Sequence, residues 1–216
     1  ISKYTEITID DAYAVNFWNI RQLLTAGVSV HLFACGNVTT GDILRKDKIL
    51  IAFMQARLID FVKVGNYRFF VPPLSLKYRI RLGRLVNRYL MKVNCKASPE
   101  LRTNMYFEYF EPMSKQQLVE LKSEGCIIGW HTSNHALIES AEQILDEWDE
   151  RRPCEEYLGF SFKGFALPYG APFYFELDQM HRINTKINGD VYFVEEELYN
   201  LASSTGLIFR QNVDFL

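Results

Sequence analysis

Long hydrophobic runs are missing from this sequence. No apolar stretch approaches the roughly 20 residues that a membrane-spanning helix needs, and no signal peptide with a charged start and an apolar centre is visible. The chain begins at Ile1 rather than at Met, which leaves room for a leader that has been removed. We therefore expect a cytoplasmic or membrane-peripheral protein, with the compartment still open.

Cysteine is also scarce, and it does not occur in pairs. The four cysteines are Cys35, Cys95, Cys126 and Cys154, and none of them has the C-x-x-C spacing of a zinc ribbon or a thioredoxin-like redox pair. Isolated cysteines in apolar surroundings are usually buried and inert, and we expect that here. Internal repeats and low-complexity segments are absent as well.

The composition is that of an ordinary globular protein, but its charge is unevenly spread. The 216 residues are 48% hydrophobic and 23% charged, which suits one domain with a substantial core. The net charge is −2, yet residues 41–111 carry fourteen Lys/Arg against six Asp/Glu, and the remaining residues carry ten against twenty. We expect no nucleic-acid partner, because the whole chain is acidic and its basic segment lacks a recognisable binding motif. The oligomeric state stays open.

Apolar periodicity predicts alternating strands and helices. Residues 6–10 are predicted as a strand, 16–25 as a helix closed by Gly27, and 28–34 as a continuous apolar strand. Such a succession is typical of a parallel sheet, in which the chemistry gathers at the carboxyl ends of the strands. Further helices are predicted over residues 43–61, 138–148 and 195–203 and after the capping-box pair Ser114 and Gln117, and further strands over residues 126–130, 160–167, 189–194 and 207–213.

One predicted helix, within the basic segment 74–93, has two distinct stripes. Its apolar stripe is Leu74, Tyr78, Leu82, Leu85 and Tyr89, and its basic stripe is Lys77, Arg81, Arg84, Arg88 and Lys92. A helix of this kind can lie on an anionic membrane or bind a lipid-linked substrate. The alternative is a helix packed on its own domain with a solvated charged face.

Polar residues follow three of the predicted strands. Asp10 and Asp11 close the first, His131 and His135 follow the strand at 126–130, and a Pro-Tyr-Gly turn at 168–170 follows a third. Taken singly, adjacent aspartates usually form a helix start or a solvated turn, and a His-x-x-x-His pair is usually incidental. Because parallel strands end at one edge of a sheet, their joint placement favours a metal site built from carboxylate and imidazole.

Three short segments also resemble motifs of a known enzyme family, the second in full and the third only in its last three positions. Residues 8–13 read Thr-Ile-Asp-Asp-Ala-Tyr, residues 131–135 read His-Thr-Ser-Asn-His, and residues 166–170 read Ala-Leu-Pro-Tyr-Gly. In these the sequence resembles the polysaccharide deacetylase family (NodB homology, carbohydrate esterase family 4), whose motifs are T-F-D-D-G-Y, H-[ST]-x-x-H and R-P-P-[YF]-G. The resemblance covers roughly residues 1–37 and 112–216. It implies that residues 1–216 form a single catalytic domain with an insertion at about 38–111.

The resemblance implies a fold and a metal site. The fold is an α/β distorted (β/α) barrel with fewer strands than the eight-stranded form, here carrying a helical basic insertion. Asp11, His131 and His135 would bind one divalent metal ion, as in the family. A carboxylate with two imidazoles suits Zn²⁺, although other first-row metals accept the same ligands.

The resemblance also implies how the site works. Asp10 would be the general base, and the backbone N–H of Tyr169 would help to stabilise the oxyanion. Tyr13, Pro168 and Gly170 would contact the substrate, an acetylated carbohydrate. The implied reaction is metal-assisted hydrolysis of an N- or O-acetyl group on a sugar.

The sequence departs from the family pattern at several positions. Ala12 stands where the family has Gly, a mild change if the local backbone is not left-handed, and Ala166 stands where it often has Arg. The fourth motif is only echoed at residues 190–192, and no histidine follows His181 to serve as the general acid. We expect His181 to lie on a surface helix and His31 to be a satisfied core histidine, although the strand of His31 leads to the same edge.

Three functions are compatible with the sequence. The first is a metal-dependent deacetylase acting on a polysaccharide or a glycan intermediate. The second keeps the metal and the base but hydrolyses a non-sugar amide. The third is a non-catalytic carbohydrate-binding or scaffold protein that retains the fold.

Overall fold

The computed structural model describes residues 6–57, 59–169, 177–187, 190–193 and 207–209. These residues form eight strands: β1 (Glu6–Ile9), β2 (Ser29–Ala34), β3 (Asp60–Val64), β4 (Tyr67–Val71), β5 (Ile127–Trp130), β6 (Phe165–Ala166), β7 (Val191–Phe193) and β8 (Leu207–Phe209). They also form seven α-helices: α1 (Phe17–Thr25), α2 (Arg45–Gln55), α3 (Leu76–Lys92), α4 (Lys115–Ser123), α5 (Ala141–Glu150), α6 (Arg152–Leu158) and α7 (Leu177–Ile187). None of the described helices is both long and apolar enough to cross a lipid bilayer.

Six strands form one parallel sheet in the order β1-β2-β5-β6-β7-β8. Consecutive pairs in this order run parallel, and the sheet curls into a half-barrel. Each crossover within the described part of the chain carries at least one helix, as a parallel connection requires. This confirms the predicted α/β fold class, a distorted (β/α) barrel.

Both faces of β2 are buried, which explains its unbroken apolar sequence. Val30, Leu32 and Ala34 belong to the main core, which includes side chains of α1, α4 and α5. Phe33 points the other way, where it packs with Ala166 and Tyr192 inside the curl of the sheet. The second face therefore forms a closely packed interior beneath the carboxyl ends of the strands.

Gly129 of β5 makes this interior packing possible. A Cβ atom at this position would lie 2.5 Å from a ring carbon of Phe33 and 2.8 Å from the carbonyl oxygen of Lys163. Only glycine lets the phenylalanine ring reach the strand, so the glycine just before the Trp130-His131 pair has a packing role.

Residues Asp42–Glu111 form a compact unit of their own, and the remainder, Ile1–Gly41 with Pro112–Leu216, forms the other. The smaller unit contains α2, the antiparallel hairpin β3–β4 and α3. Its core includes Ile49, Phe53, Val62, Val71 and Leu90. The interpretation of the chain as a single catalytic domain with an insertion at about 38–111 stays a prediction.

The prediction of a helix over residues 43–61 is wrong beyond Gln55. The helix ends there, and the chain enters β3 at Asp60, whose carboxylate accepts hydrogen bonds from the amides of Arg57 and Phe61 and pairs with Arg102. Apolar residues at this point fit a helix or a strand equally well. The strand is favoured because it pairs with β4 and because Asp60 forms an ion pair with the distant Arg102.

Other local predictions were only partly correct. The capping box of Ser114 and Gln117 is present, whereas α6 was not predicted. The strand predicted over residues 160–167 shrinks to Phe165–Ala166, since a left-handed Gly164 interrupts the chain just before it. The helix predicted over residues 195–203, and the end of the last predicted strand, lie outside the described residues.

Candidate metal centre

The predicted acidic and histidine residues meet at the carboxyl edge of the sheet. Asp10 and Asp11 follow β1, and His131 follows β5, with β2 lying between these two strands. The amide of His131 donates a 2.9 Å hydrogen bond to the carbonyl oxygen of Ala34, the last residue of β2. The sheet register therefore brings side chains 120 positions apart in sequence to one place.

Asp11, His131 and His135 form the tightest cluster at this edge. One potential ligand atom from each residue lies within 4.8 Å of the other two. His135 Nε2 lies 3.4 Å from Asp11 Oδ1, and His131 Nε2 lies 3.9 Å from the same oxygen. Two ligands of a tetrahedral zinc ion, each at about 2.1 Å from it, would be roughly 3.4 Å apart. The three side chains therefore fit a divalent metal ion after small adjustments.

The hydrogen bonding of His131 supports this fit. Its Nδ1 lies 2.8 Å from the carbonyl oxygen of Ala166, so Nδ1 carries the proton and donates it. The Nε2 lone pair is then directed at the carboxylates, in a side chain that is only 1% exposed, and it has no hydrogen-bond partner among the described residues. A buried lone pair facing carboxylate oxygens is unfavourable by itself and becomes favourable around a cation.

Asp10 differs from Asp11 in exposure. Its side chain is 34% exposed, against 13% for Asp11, and its Oδ2 lies 3.7 Å from His131 Nε2. Asp10 thus lies beside the three-residue cluster but on its solvent side. A carboxylate in that position can exchange protons with water or with a bound substrate.

Backbone strain is concentrated at the same place. Seven described residues other than glycine have a positive φ, and five of them belong to the motifs: Asp11, Ala12, Thr132, His135 and Tyr169. Such conformations cost about 1–3 kcal/mol each and cluster where function requires them. Ala12 has a φ of 48°, which is left-handed backbone. Alanine in place of the family's Gly is therefore not a mild change at this position. Its methyl group is fully buried, which partly offsets the strain.

Two residues that contact the histidine segment were missed by sequence reasoning. The carboxylate of Glu147 in α5 accepts a 2.8 Å hydrogen bond from the amide of Ser133 and another, at 3.1 Å, from its hydroxyl. Burial raises the pKa of this carboxyl group, although the Ser133 bonds oppose the rise. The thiol of Cys35 lies 3.2 Å from the carbonyl oxygen of His131 and 3.8 Å from Asp11 Oδ1. Cys35 follows β2, a position that could have signalled it, whereas nothing local marks Glu147.

The predicted substrate-contacting residues are only partly described. The Tyr169 ring packs edge-on against that of His135, with ring centres 4.7 Å apart, and the residue is 40% exposed. Pro168 is buried, and Tyr13 is half-buried and forms an isolated β-bridge with Pro112. Gly170 lies outside the described residues. Tyr169 therefore forms a wall of the metal centre that is open to solvent.

His31 belongs to a separate buried network and not to the metal centre. Its Nδ1 lies 2.8 Å from the Tyr192 hydroxyl, and its Nε2 lies 2.6 Å from the Lys163 carbonyl oxygen. The hydrogen bond with His31 outweighs desolvation and lowers the pKa of the Glu6 carboxyl. Because Glu6 begins β1, this network lies toward the amino ends of the strands, and His31 is a satisfied core histidine as expected. His181 is exposed on α7, also as expected.

Comparisons with known proteins bear on the fold. No protein-family model matches the sequence, and no curated protein matches it. The structure is similar to the deacetylase domain of BpsB from Bordetella bronchiseptica, with a TM-score of 0.50 and 12% identity over 95% of this chain and 69% of that one. It is also similar to the deacetylase PplD from Streptococcus pyogenes (TM-score 0.48, 13% identity, 95% and 62% coverage) and to IcaB from Ammonifex degensii (TM-score 0.48, 15% identity, 95% and 66% coverage).

The likeness to the BpsB domain identifies the class of fold. The chain has the fold of a NodB-type deacetylase domain, as the resemblance of its motifs implied. It spans about two thirds of the length of the chains that it matches. At such low sequence identity, the fold is what these structures share with it.

Proposed function

We propose that the protein is a metal-dependent hydrolase that removes N- or O-linked acetyl groups from a sugar of a polysaccharide or glycan intermediate. The observation that carries this proposal is the buried Nε2 of His131, held by the Nδ1 bond to Ala166 and directed at Asp11. The deacetylase fold supports the choice of an acetyl group, and the solvent-exposed edge of the site suits a large substrate.

In this proposal Asp11, His131 and His135 hold one divalent ion, Zn²⁺ or another first-row metal. Such an ion, when bound, acidifies a water molecule and polarises the acetyl carbonyl. The Nδ1 bond of His131 to Ala166 fixes the orientation of that ring, so that Nε2 is the nitrogen that faces the ion.

Asp10 is the proposed general base, because it lies beside the ligands and is the more exposed of the two aspartates. It takes a proton from the attacking water, whose oxygen then bonds to the acetyl carbon. The negative charge that develops on the acetyl oxygen receives a hydrogen bond from the backbone N–H of Tyr169. The C–N or C–O bond breaks, and the leaving amine or alcohol takes its proton from Asp10 or from water, giving acetate.

Tyr13 and the exposed Tyr169 ring are the proposed substrate contacts. The same role stays a prediction for Pro168, which is buried, and for Gly170. A half-exposed aromatic ring next to the ligands offers a flat apolar face to a sugar ring. The carbohydrate therefore approaches along the open side of the site, where Asp10 is also accessible.

Acetate release by the purified protein tests this proposal. The substrates are N-acetylated and O-acetylated oligosaccharides, assayed with added Zn²⁺, Co²⁺ or Mn²⁺ and with a chelator. We expect metal-dependent release that Asp10→Asn abolishes while metal binding, followed by elemental analysis, is retained. Asp146→Asn, on the exposed face of α5, is the matched control and should be as active as the parent.

Two results would contradict the proposal in different ways. If the protein binds no metal even after soaking, the ligand set is wrong. If it binds metal but releases no acetate from any of the substrates, the sugar deacetylase is wrong, and a metal hydrolase of a non-sugar amide or a non-catalytic carbohydrate-binding protein replaces it.

A further inference from the structure

The exposed face of α3 carries a cationic stripe, which consists of Lys77, Arg81, Arg84, Arg88 and Lys92. At about 100° per residue, these five side chains fall within an arc of roughly 80° on the helix. All five are exposed. The helix has 17 residues, so the stripe runs along most of a rod about 25 Å long.

The stretch of sequence that contains the cationic stripe has no acidic residue. The segment from Phe61 to Pro99 contains nine Lys/Arg residues and no Asp/Glu. Among the described residues, no carboxylate forms an ion pair with any of the five stripe cations. Arg79 shows the contrast, because it points inward and donates hydrogen bonds to the carbonyl oxygens of Met54 and Ala56 at the end of α2. Within the described part of the chain, the cationic stripe therefore shows no hydrogen bonding comparable to that of Arg79. Arg81 does lie over the ring of its neighbour Tyr78, 5.7 Å from the ring centre.

An apolar row borders the cationic stripe along the same helix. It consists of Tyr78, Leu85 and Tyr89, which are 54%, 61% and 46% exposed. On a helical projection they follow the stripe directly, at about 20–60° beyond its edge. The Tyr89 ring is fixed edge-on by Tyr67 and Phe69 of β4, with ring centres 5.9 and 6.3 Å away. The row is thus an ordered apolar surface left in contact with water.

We propose that this face of α3 docks on an anionic lipid bilayer. The helix would lie parallel to the membrane, with the cationic stripe among the lipid phosphates and Leu85 and the two tyrosine rings at the headgroup boundary. Cations beside exposed apolar and aromatic side chains on one helix are the features of interfacial helices. Long basic side chains can place their charges in the headgroups while their methylene stems cover apolar surface.

The apolar row favours a bilayer over a soluble polyanion. An acidic polysaccharide or a nucleic acid would neutralise the stripe but would leave Leu85 exposed. The net charge of −2 cannot attract the protein to an anionic surface as a whole, so binding would depend on this face.

Vesicle binding tests the role of the cationic stripe. The intact protein is sedimented with vesicles of phosphatidylcholine alone or with 30% phosphatidylglycerol, without any substrate, so that the result is independent of acetyl hydrolysis. We expect binding only to the anionic vesicles, with loss at high salt. The triple variant Arg81→Gln, Arg84→Gln, Arg88→Gln should weaken it about 100-fold, at about fivefold per basic residue.

A matched triple variant controls for net charge. Lys115→Gln, Arg152→Gln and Arg182→Gln remove the same three charges from exposed positions on α4, α6 and α7 and should leave vesicle binding unchanged. Circular dichroism checks that both triple variants are folded. Failure of the parent to bind anionic vesicles, or equal losses in the two triple variants, would overturn the proposal.

Leu85→Gln separates a bilayer from a soluble polyanion. This variant should weaken binding to anionic vesicles several-fold, whereas Val119→Gln, at another exposed apolar position, should not. Competition with alginate or double-stranded DNA provides the second measurement. If a soluble polyanion binds as tightly as the vesicles and Leu85→Gln changes neither affinity, the surface is a polyanion site and the membrane proposal is wrong.

Discussion

Glu147 offers the sharpest test of how the histidine segment is held in place. Its carboxylate binds both the amide and the hydroxyl of Ser133, which lies midway between His131 and His135. The change Glu147→Ala removes both hydrogen bonds at once. Ser133 then has to find other partners, and the segment between the two proposed ligands loses its contact with α5.

The expected magnitude follows from these contacts. Hydrogen bonds to a charged group contribute about 1.5–3 kcal/mol each, but the burial that raises the pKa of Glu147 offsets part of this. We expect Glu147→Ala to lower the free energy of unfolding by about 2 kcal/mol. Glu147→Gln keeps an acceptor and loses the buried charge, so it should cost less than about 1 kcal/mol.

The effect on metal affinity is the more informative quantity. Removing a group that is hydrogen-bonded directly to a ligand typically weakens metal binding about 10–100-fold. Glu147 binds Ser133, which lies between two proposed ligands, so we expect a loss at the lower end, about 10-fold. Zinc affinity is measured by competition with a chromogenic chelator, and stability by urea unfolding of the metal-free protein. Glu156→Gln, at an exposed position on α6, is the control for charge and should change neither quantity.

A double-mutant cycle with Ser133→Ala assigns the effect to the contact itself. If Glu147 acts through Ser133, the two changes together should cost clearly less than the sum of the single changes. A folded Glu147→Ala protein that binds zinc as tightly as the parent would refute the idea that α5 positions the ligands.

Two further changes test the fold around the site and in the smaller unit. Gly129→Ala should lower the free energy of unfolding by about 2–3 kcal/mol, because its Cβ would lie 2.5 Å from the Phe33 ring. Adding Phe33→Leu to this variant should recover part of that loss. If Gly129→Ala and the parent were equally stable in urea, this packing would be contradicted. The pKa of Asp60 is lowered in the folded protein, first by Arg102, so its stabilising contribution is complete above the unfolded pKa of about 3.9. That contribution decreases gradually below this pH and is lost only as the pH falls through the lower folded pKa. Asp60→Asn should therefore destabilise the protein most near pH 7 and progressively less as the pH falls below about 3.9, and a destabilisation independent of pH would argue against the ion pair.

The sequence predicted the parallel sheet because each strand carries its signal locally. The apolar run of β2, the alternation in β1 and the capping box before α4 are all readable within a few residues. The polar residues after β1 and β5 could be assigned to one edge from the sequence alone, since parallel strands must end on the same side. Their spatial proximity followed from that geometry alone.

Local patterns were insufficient where distant partners decide. The chain after Gln55 is a strand because it pairs with β4 and because Asp60 meets Arg102, 42 positions later. Glu147 has the same exposed-looking context as its acidic neighbours in α5, and only the tertiary structure turns it toward Ser133. The left-handed backbone at Ala12 could not be predicted from the sequence either, since alanine usually adopts a negative φ.

For the metal centre, the amino-acid pattern alone identified which side chains reach the edge of the sheet: two aspartates after one strand and two histidines after another. Which atoms face each other was decided only in three dimensions. The Ala166 carbonyl selects Nε2 of His131 as the free ring nitrogen, and left-handed turns at Asp11 and His135 bring their side chains within 3.4 Å. These contacts join residues up to 124 positions apart in sequence, and their energies depend on strand register and buried packing, which a local pattern does not contain.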